Sequence, residues 1–247
     1  MEPIAVYKRL LLEFGPQYWW PVTEKNELVP SYRPRKAFSE EQRFEICAGA
    51  ILAQNTDWKN VMKALENLSK ARMLSCEKIA NAKQERIAGL VKPSGYFNQK
   101  AKRLVLFAKY LEKNYGGGLS LLFEKPLPVL REELLSLHGI GNETADDIIL
   151  YAAGKPSFVI DAYTMRFVER FYGKEGISYV EAKQFFELQL PKDVALFNEF
   201  HALLVELGKR FCRKKPNCGE CFLGKECNFC FRLNQLKSQV KESACLV

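Results

Sequence analysis

The sequence predicts an all-α chain. Apolar residues recur at helical spacing in one segment after another, and glycine, proline and polar clusters punctuate those segments at short intervals. No reliable β-sheet pattern and no internal repeat is found.

The first helix is expected over Pro3 to Phe14 with Ile4, Leu11 and Leu12 inward, ended by Gly15 and Pro16. Gln17-Tyr18-Trp19-Trp20-Pro21 then opens a proline-punctuated loop that runs to Pro34. Adjacent residues on an irregular chain face different ways, so at least one of the two tryptophans is expected at the surface. A second helix starts near Glu40, buries Phe44, Cys47, Ala48, Ile51 and Leu52, and stops at the polar break Ala53-Gln54-Asn55-Thr56-Asp57. Further helices are expected over Trp58 to Leu68 and Ile79 to Leu90, before a turn at Pro93-Ser94-Gly95-Tyr96. From Asn98 to Tyr115 a long amphipathic helix turns Ala101, Leu104, Val105, Ala108 and Leu111 inward. Its outer face carries Lys100, Lys102, Arg103, Lys109 and Lys113, which suits either water or a polyanion. Gly116-Gly117-Gly118 ends it.

Leu127, Leu130, Leu134 and Leu137 share one helical face. Gly139 and Gly141 interrupt that helix and allow a tight turn. Asn142 is placed to cap a second helix carrying Ala145, Ile149 and Ala152, which stops at Gly154 and Pro156. Two short helices joined by a glycine hairpin aim backbone amides outward, an arrangement that suits a phosphate; a plain helical pair with a glycine cap fits the same residues. Beyond it, Ser157 to Ile160 reads as extended, and Asp161 caps a helix that runs to Tyr172. Helices over Tyr179 to Leu188 and about Ala195 to Arg210 complete the chain.

At 247 residues the chain buries a full core without disulfide staples. Its formal net charge of +8, from 37 Lys and Arg against 29 Asp and Glu, favours a polyanionic partner only modestly. The N-terminal segment holds Glu2, Lys8, Arg9 and Glu13 and lacks a signal peptide's apolar core. No apolar run approaches membrane-spanning length. A cytoplasmic, nucleoid-associated or otherwise intracellular protein with no membrane partner is expected, where cysteines stay reduced. Five of eight cysteines fall between Cys212 and Cys230, which argues for a metal before a disulfide. Cys212, Cys218, Cys221 and Cys227 form C-x5-C-x2-C-x5-C, a set that suits zinc or an iron–sulfur cubane, and spacing alone does not choose. Lys209, Arg210, Arg213, Lys214 and Lys215 crowd around the first of them, where they can meet phosphates.

The hairpin Leu137-His138-Gly139-Ile140-Gly141-Asn142-Glu143-Thr144-Ala145-Asp146 resembles the helix-hairpin-helix of the endonuclease III superfamily of DNA glycosylases. Together with Asp161 and the cysteine spacing, the resemblance spans roughly residues 40 to 230. It implies a two-lobed helix-hairpin-helix glycosylase fold with a C-terminal four-cysteine iron–sulfur loop at 212–227. The central helical barrel is then expected at 40–154, with 1–39 and 155–247 packed together as the second lobe. The family chooses a structural four-iron four-sulfur cluster over zinc, although its first cysteine gap commonly holds six residues and this one holds five. Cys230 is a possible substitute ligand or a bystander. The implied partner is double-stranded DNA with a damaged base, bound by a monomer, with Gly139, Gly141 and the basic residues 209–215 on its backbone.

The resemblance places the family's catalytic aspartate at Asp161, a role compatible with capping. The lysine that gives bifunctional members their strand cleavage falls at Glu143 here, and a carboxylate cannot form the imine. Gln54 matches the loop that fills the gap left by a flipped nucleotide, or is simply a helix-terminal polar residue. The sequence around Gln54-Asn55-Thr56 and Pro93 to Arg103 looks most like the 3-methyladenine (alkylpurine) branch. That branch implies excision of alkylated purines without lyase activity. It offers Trp20 or Trp19 as the surface that stacks on a cationic base, with core packing as the alternative. Glycosylases for other damaged or mismatched bases, a non-catalytic DNA-binding protein, and a zinc-stabilised structural protein are the competing readings.

Overall fold

The computed structural model describes residues 1–233 and 235, so the end of the expected second lobe at 236–247 lies outside the described residues. Among them there is no strand; a single antiparallel bridge joins Val22 to Ser31. The chain divides into two compact units, Tyr18–Ser157 and Met1–Gln17 with Phe158–Val247.

The larger unit is built around a helix, α2, over Glu40–Ala53. Ser39 starts it with a capping box closed by Gln42. Every residue from Phe44 to Leu52 is buried, as expected of a helix with neighbours on all sides. Those neighbours are α3 (Trp58–Lys70), α6 (Phe97–Tyr115), α9 (Asn142–Asp147) and the π-helical turn Ile148–Ala152 that continues α9. The single helix expected over 79–90 is two, α4 (Cys76–Ala80) and α5 (Gln84–Val91), because Asn81 closes the first and Lys83 starts the second. Both pack on α6. Short α7 (Ser120–Glu124) leads into α8 (Leu127–Ser136).

The boundary of this unit falls at Tyr18, not at residue 40. Physically, the segment after Trp19 is fastened to α2. Trp20 and Val22 are buried, and Thr23 donates from its amide (2.9 Å) and hydroxyl (2.7 Å) to the Glu45 carboxylate.

The smaller unit packs α1 (Pro3–Phe14), α10 (Ala162–Phe171), α11 (Tyr179–Gln189) and α12 (Val194–Arg210). Its centre is aromatic: Phe158 stacks on Phe186 at 4.2 Å and meets Phe197 and Phe200 edge-on. In α1 the buried face is Pro3, Val6 and Leu10, and Leu12 is 88% exposed. The expected inward face was rotated, since Leu10, Leu11 and Leu12 give no periodic preference of their own. None of the described helices is long and apolar enough to cross a membrane.

Candidate functional site

In the larger unit three loops are tied together by α6. Lys100 and Arg103, expected on the outer face of that helix, both point into the unit. Lys100 is 1% exposed and donates to the Leu52 carbonyl (2.9 Å) at the end of α2 and to the Ser94 carbonyl (2.6 Å) in the 93–96 turn before α6. Burial, aided by the Arg103 guanidinium, pushes its ammonium down to about 8. The stem of Arg103 lies against Gly139, where a Cβ would fall 2.5–2.6 Å from it, and Gly139 has φ +82°. Its guanidinium donates to Gln54 Oε1. Gln54 Nε2 in turn donates to the Gly139 carbonyl (2.9 Å) and Thr144 Oγ1 (2.8 Å). The 54–57 loop, the turn at 93–96 and the glycine hairpin therefore form one assembly, with Asn55 and Tyr96 exposed in left-handed backbone at φ +52° and +43°.

The hairpin closes through Ile140 N–H on the Leu137 carbonyl (3.1 Å). Gly141, not Asn142, is the N-cap of α9. The Asn142 side chain is used instead as acceptor for Arg131 (2.9 Å), which also forms an ion pair at 2.9 Å with buried Asp146. Ser157 donates to the same carboxylate (2.7 Å). Glu143 is exposed in the first turn of α9, and His138 is exposed within the hairpin.

Trp19 and Trp20, joined by a cis peptide bond, meet a third tryptophan that sequence reasoning did not connect with them. Trp58, the first residue of α3, lies 4.7 Å from Trp19 and 4.9 Å from Trp20 between ring centroids. Tyr151 closes the nest at 5.1 Å from Trp20, and Tyr32 stands 5.8 Å from Trp19. Trp20 is 2% exposed and lies close against Gly49; Trp19 is half-buried. The indole N–H groups of Trp20 and Trp58 are buried without a hydrogen-bond partner among the described residues.

In the smaller unit Asp161 caps α10, with Oδ1 accepting from the Thr164 amide at 2.7 Å. Oδ2 lies 3.7 Å from His201 Nε2, and the two side chains are 14% and 8% exposed. Burial opposes ionisation of Asp161, but the His201 contact and the Thr164 amide outweigh it and hold the carboxyl below its ordinary value. The result is a poised, nearly dry carboxylate.

The cysteine loop is moored to the smaller unit from several sides. Arg9 reaches Glu226 (2.7 Å) and the Phe222 carbonyl (2.6 Å), and Phe14 meets Phe222 edge-on. Arg166 donates to the Cys212 carbonyl (2.7 Å), and Asn228 to the Phe171 carbonyl (2.8 Å). Cys212, Cys218, Cys221 and Cys227 are free thiols that line a single pocket with Arg170, whose Nη1 lies 3.6 Å from Cys212 Sγ. Among the described residues no group of three His, Cys, Asp or Glu is placed to hold one metal ion. Four soft donors around a shared pocket, beside a cationic donor to one sulfur, fit a thiolate-bound anionic cluster. Lys209, Arg210, Arg213, Lys214 and Lys215 are all exposed around this loop; Arg210 also pairs with Glu206 and lies over the Phe14 ring.

Comparison with known proteins adds to this geometry. The profile described as "HhH-GPD superfamily base excision DNA repair protein" matches residues 48–192. A Methanocaldococcus jannaschii protein, provisionally a DNA repair glycosylase, is 42% identical over 90% of this chain and 94% of its own. Endonuclease III of Thermotoga maritima is 31% identical over 77% of this chain and 84% of its own. Among solved structures, the Helicobacter pylori 3-methyladenine DNA glycosylase bound to 1,N6-ethenoadenine is 31% identical. It covers 85% of this chain and 98% of its own, with a TM-score of 0.68.

Proposed function

From the chain's membership of the HhH-GPD superfamily of base excision DNA repair proteins, we propose that it hydrolyses the N-glycosidic bond of alkylated purines in duplex DNA. The product is an abasic site, and the strand is left intact. One observation carries the substrate class: Trp19, Trp20 and Trp58 meet in one aromatic nest. Cationic alkylpurines have a weakened glycosidic bond, so what a protein adds is a stacking surface attractive to a positive ring. The Helicobacter pylori relative, a 3-methyladenine glycosylase, supports the same class.

In this reading Asp161 faces the sugar as the base departs. Its carboxylate stabilises positive character at the sugar carbon and orients the attacking water. His201 and the Thr164 amide keep it ionised for that task. Glu143 stands where an amine would be needed for Schiff-base chemistry. The 54–57 loop, the 93–96 turn and the hairpin, locked together by the Gln54 amide, present Gly139 and Gly141 to the duplex, with the basic residues 209–215 adding phosphate contacts. Cys212, Cys218, Cys221 and Cys227 would hold a four-iron four-sulfur cluster, whose contribution is to cross-link and fix the basic loop.

The test is single-turnover excision on duplexes carrying one 3-methyladenine, one 1,N6-ethenoadenine or one G·T mismatch, with and without alkaline cleavage. Release of alkylpurines with strand breaks only after alkali is expected. Breaks without alkali, or a borohydride-trapped crosslink to DNA, would refute the monofunctional reading. Release of thymine alone would replace the substrate class.

A further inference from the structure

Resting on the cluster reading above, we propose that Cys230 is a reserve ligand of the same centre, able to take over from Cys227 when that thiolate is lost. The sequence holds two overlapping four-thiol sets. Cys212, Cys218, Cys221 and Cys227 form one; Cys212, Cys218 and Cys221 with Cys230, spaced C-x5-C-x2-C-x8-C, form the other. The structure brings the fifth thiol to the first four. Cys230 is 6% exposed and lines the very pocket bounded by the other four cysteines. It also shares a second pocket with Cys218 and Cys221. Cys227 immediately precedes the helical turn that carries Cys230, and its carbonyl accepts from the Phe231 amide (3.0 Å) at the start of that turn.

Close approach here depends on Gly224. A Cβ at that position would stand 3.3 Å from the Cys218 carbonyl and 3.7 Å from Cys230 Sγ. Gly224 therefore sits close to both the Cys218 carbonyl and Cys230. Cys212 is held by Arg166 on its carbonyl and Arg170 at its sulfur, whereas Cys227 Sγ contacts the Arg170 carbonyl (3.6 Å). Exchange needs no oxidant. The Cys230 thiol would give its proton to solvent on binding, and the displaced Cys227 thiolate would take one up, so the exchange would be a thiolate-for-thiolate substitution with no change of oxidation state.

The experiment measures iron and acid-labile sulfide per chain, with visible absorbance, in full-length protein purified without oxygen. The forms compared are wild type, C230S, C227S, C212S and C227S/C230S. C230S should match wild type, C227S should keep at least about half its iron, and C227S/C230S and C212S should fall below about a tenth. Alkylation followed by mass spectrometry gives a second readout that does not need the double variant to fold. Cys230 should be protected in C227S until the iron is chelated, and accessible after denaturation but unligated in wild type. C227S as iron-poor as the double variant, or an iron-poor C230S, would overturn the exchange while leaving the cluster reading intact. A wild-type chain without iron removes the cluster reading and the exchange with it.

Discussion

His201 Nε2 lies 3.7 Å from Asp161 Oδ2, joining α12 to the first turn of α10. A buried carboxylate without such a neighbour is held protonated by desolvation. Here the neighbour and the Thr164 amide reverse the direction, so Asp161 titrates below 3.8. Replacing the imidazole, as in His201→Asn, removes the strongest contact that favours ionisation. The acid limb of the single-turnover excision profile should then move to higher pH, with the plateau rate at neutral pH less affected. Stability follows the same sign. A depressed folded pKa stabilises above the unfolded value and is lost as pH falls through the folded one, so H201N should lose stability at a higher pH than wild type. An unchanged acid limb would take His201 out of the control of Asp161. D161N, which keeps a capping oxygen, should lose at least roughly 100-fold in excision rate while still binding DNA.

Glu45 carries the opposite sign. It is 2% exposed, and burial raises its carboxyl to about 7 despite two hydrogen bonds from Thr23 and the nearby Arg35; Glu24 adds a further upward push. Its folded form prefers the proton, so this group stabilises most at low pH, and its contribution declines as pH rises from 4.5 to about 7. At 1.36 kcal/mol per pKa unit the whole decline is on the order of 3 kcal/mol. Glu45→Gln should flatten the slope, which denaturant melts at about pH 5 and about pH 8 would measure. A parallel slope in both proteins would place the titration elsewhere.

Gly139 tests the clasp on the hairpin. Its φ of +82° costs an L side chain roughly 1–2 kcal/mol, and a Cβ there also meets the Arg103 stem. Gly139→Ala should therefore destabilise through two separable causes. In R103A/G139A the collision is gone and only the backbone cost remains, so the double variant should be more stable than the sum of the singles predicts. Strict additivity in melting experiments would show that Arg103 yields freely.

These residues also show where sequence sufficed and where it did not. Helices and their ends were legible wherever local rules act alone, as at Ser39 with Gln42 or Gly15 after Phe14. The hairpin and the cysteine spacing are contiguous, so their pattern is visible in one dimension. Lys100 and Arg103 were not: a lysine 48 and 6 residues from its two carbonyl partners carries no sequence mark of being buried, and charge alone assigned both to the surface. The Asp161–His201 pair spans forty residues, and Trp58 joins the tryptophan pair only through the packing of α3 on α2. The misplaced boundary at residue 40 has the same origin. A proline-rich segment reads as a connector unless Glu45, itself unusual inside a helix, is known to hold Thr23.

The tryptophan pair now separates into two roles. Trp20, at 2% exposure with its ring against Gly49, Trp58 and Tyr151, has the environment of a core residue. Trp20→Ala should cost roughly 3–5 kcal/mol, with excision falling on every substrate as the folded fraction falls. Trp19 is half-buried in the same nest, so part of the residue remains in contact with solvent. Trp19→Ala should melt closer to wild type yet lose stacking worth roughly 1–3 kcal/mol on any flipped base. A cationic base should lose about 0.5–2 kcal/mol more than a neutral one, because the indole face also attracts its charge. Trp19→Phe should fall between wild type and alanine on both. Single-turnover rates on 3-methyladenine and 1,N6-ethenoadenine, each paired with a melting curve, distinguish the cases. Folded W19A with unchanged rates on both bases would remove Trp19 from the pocket. If folded W20A then showed the charge-dependent loss, the stacking role would pass to the buried member of the pair, and the nest would have to open for the base to enter.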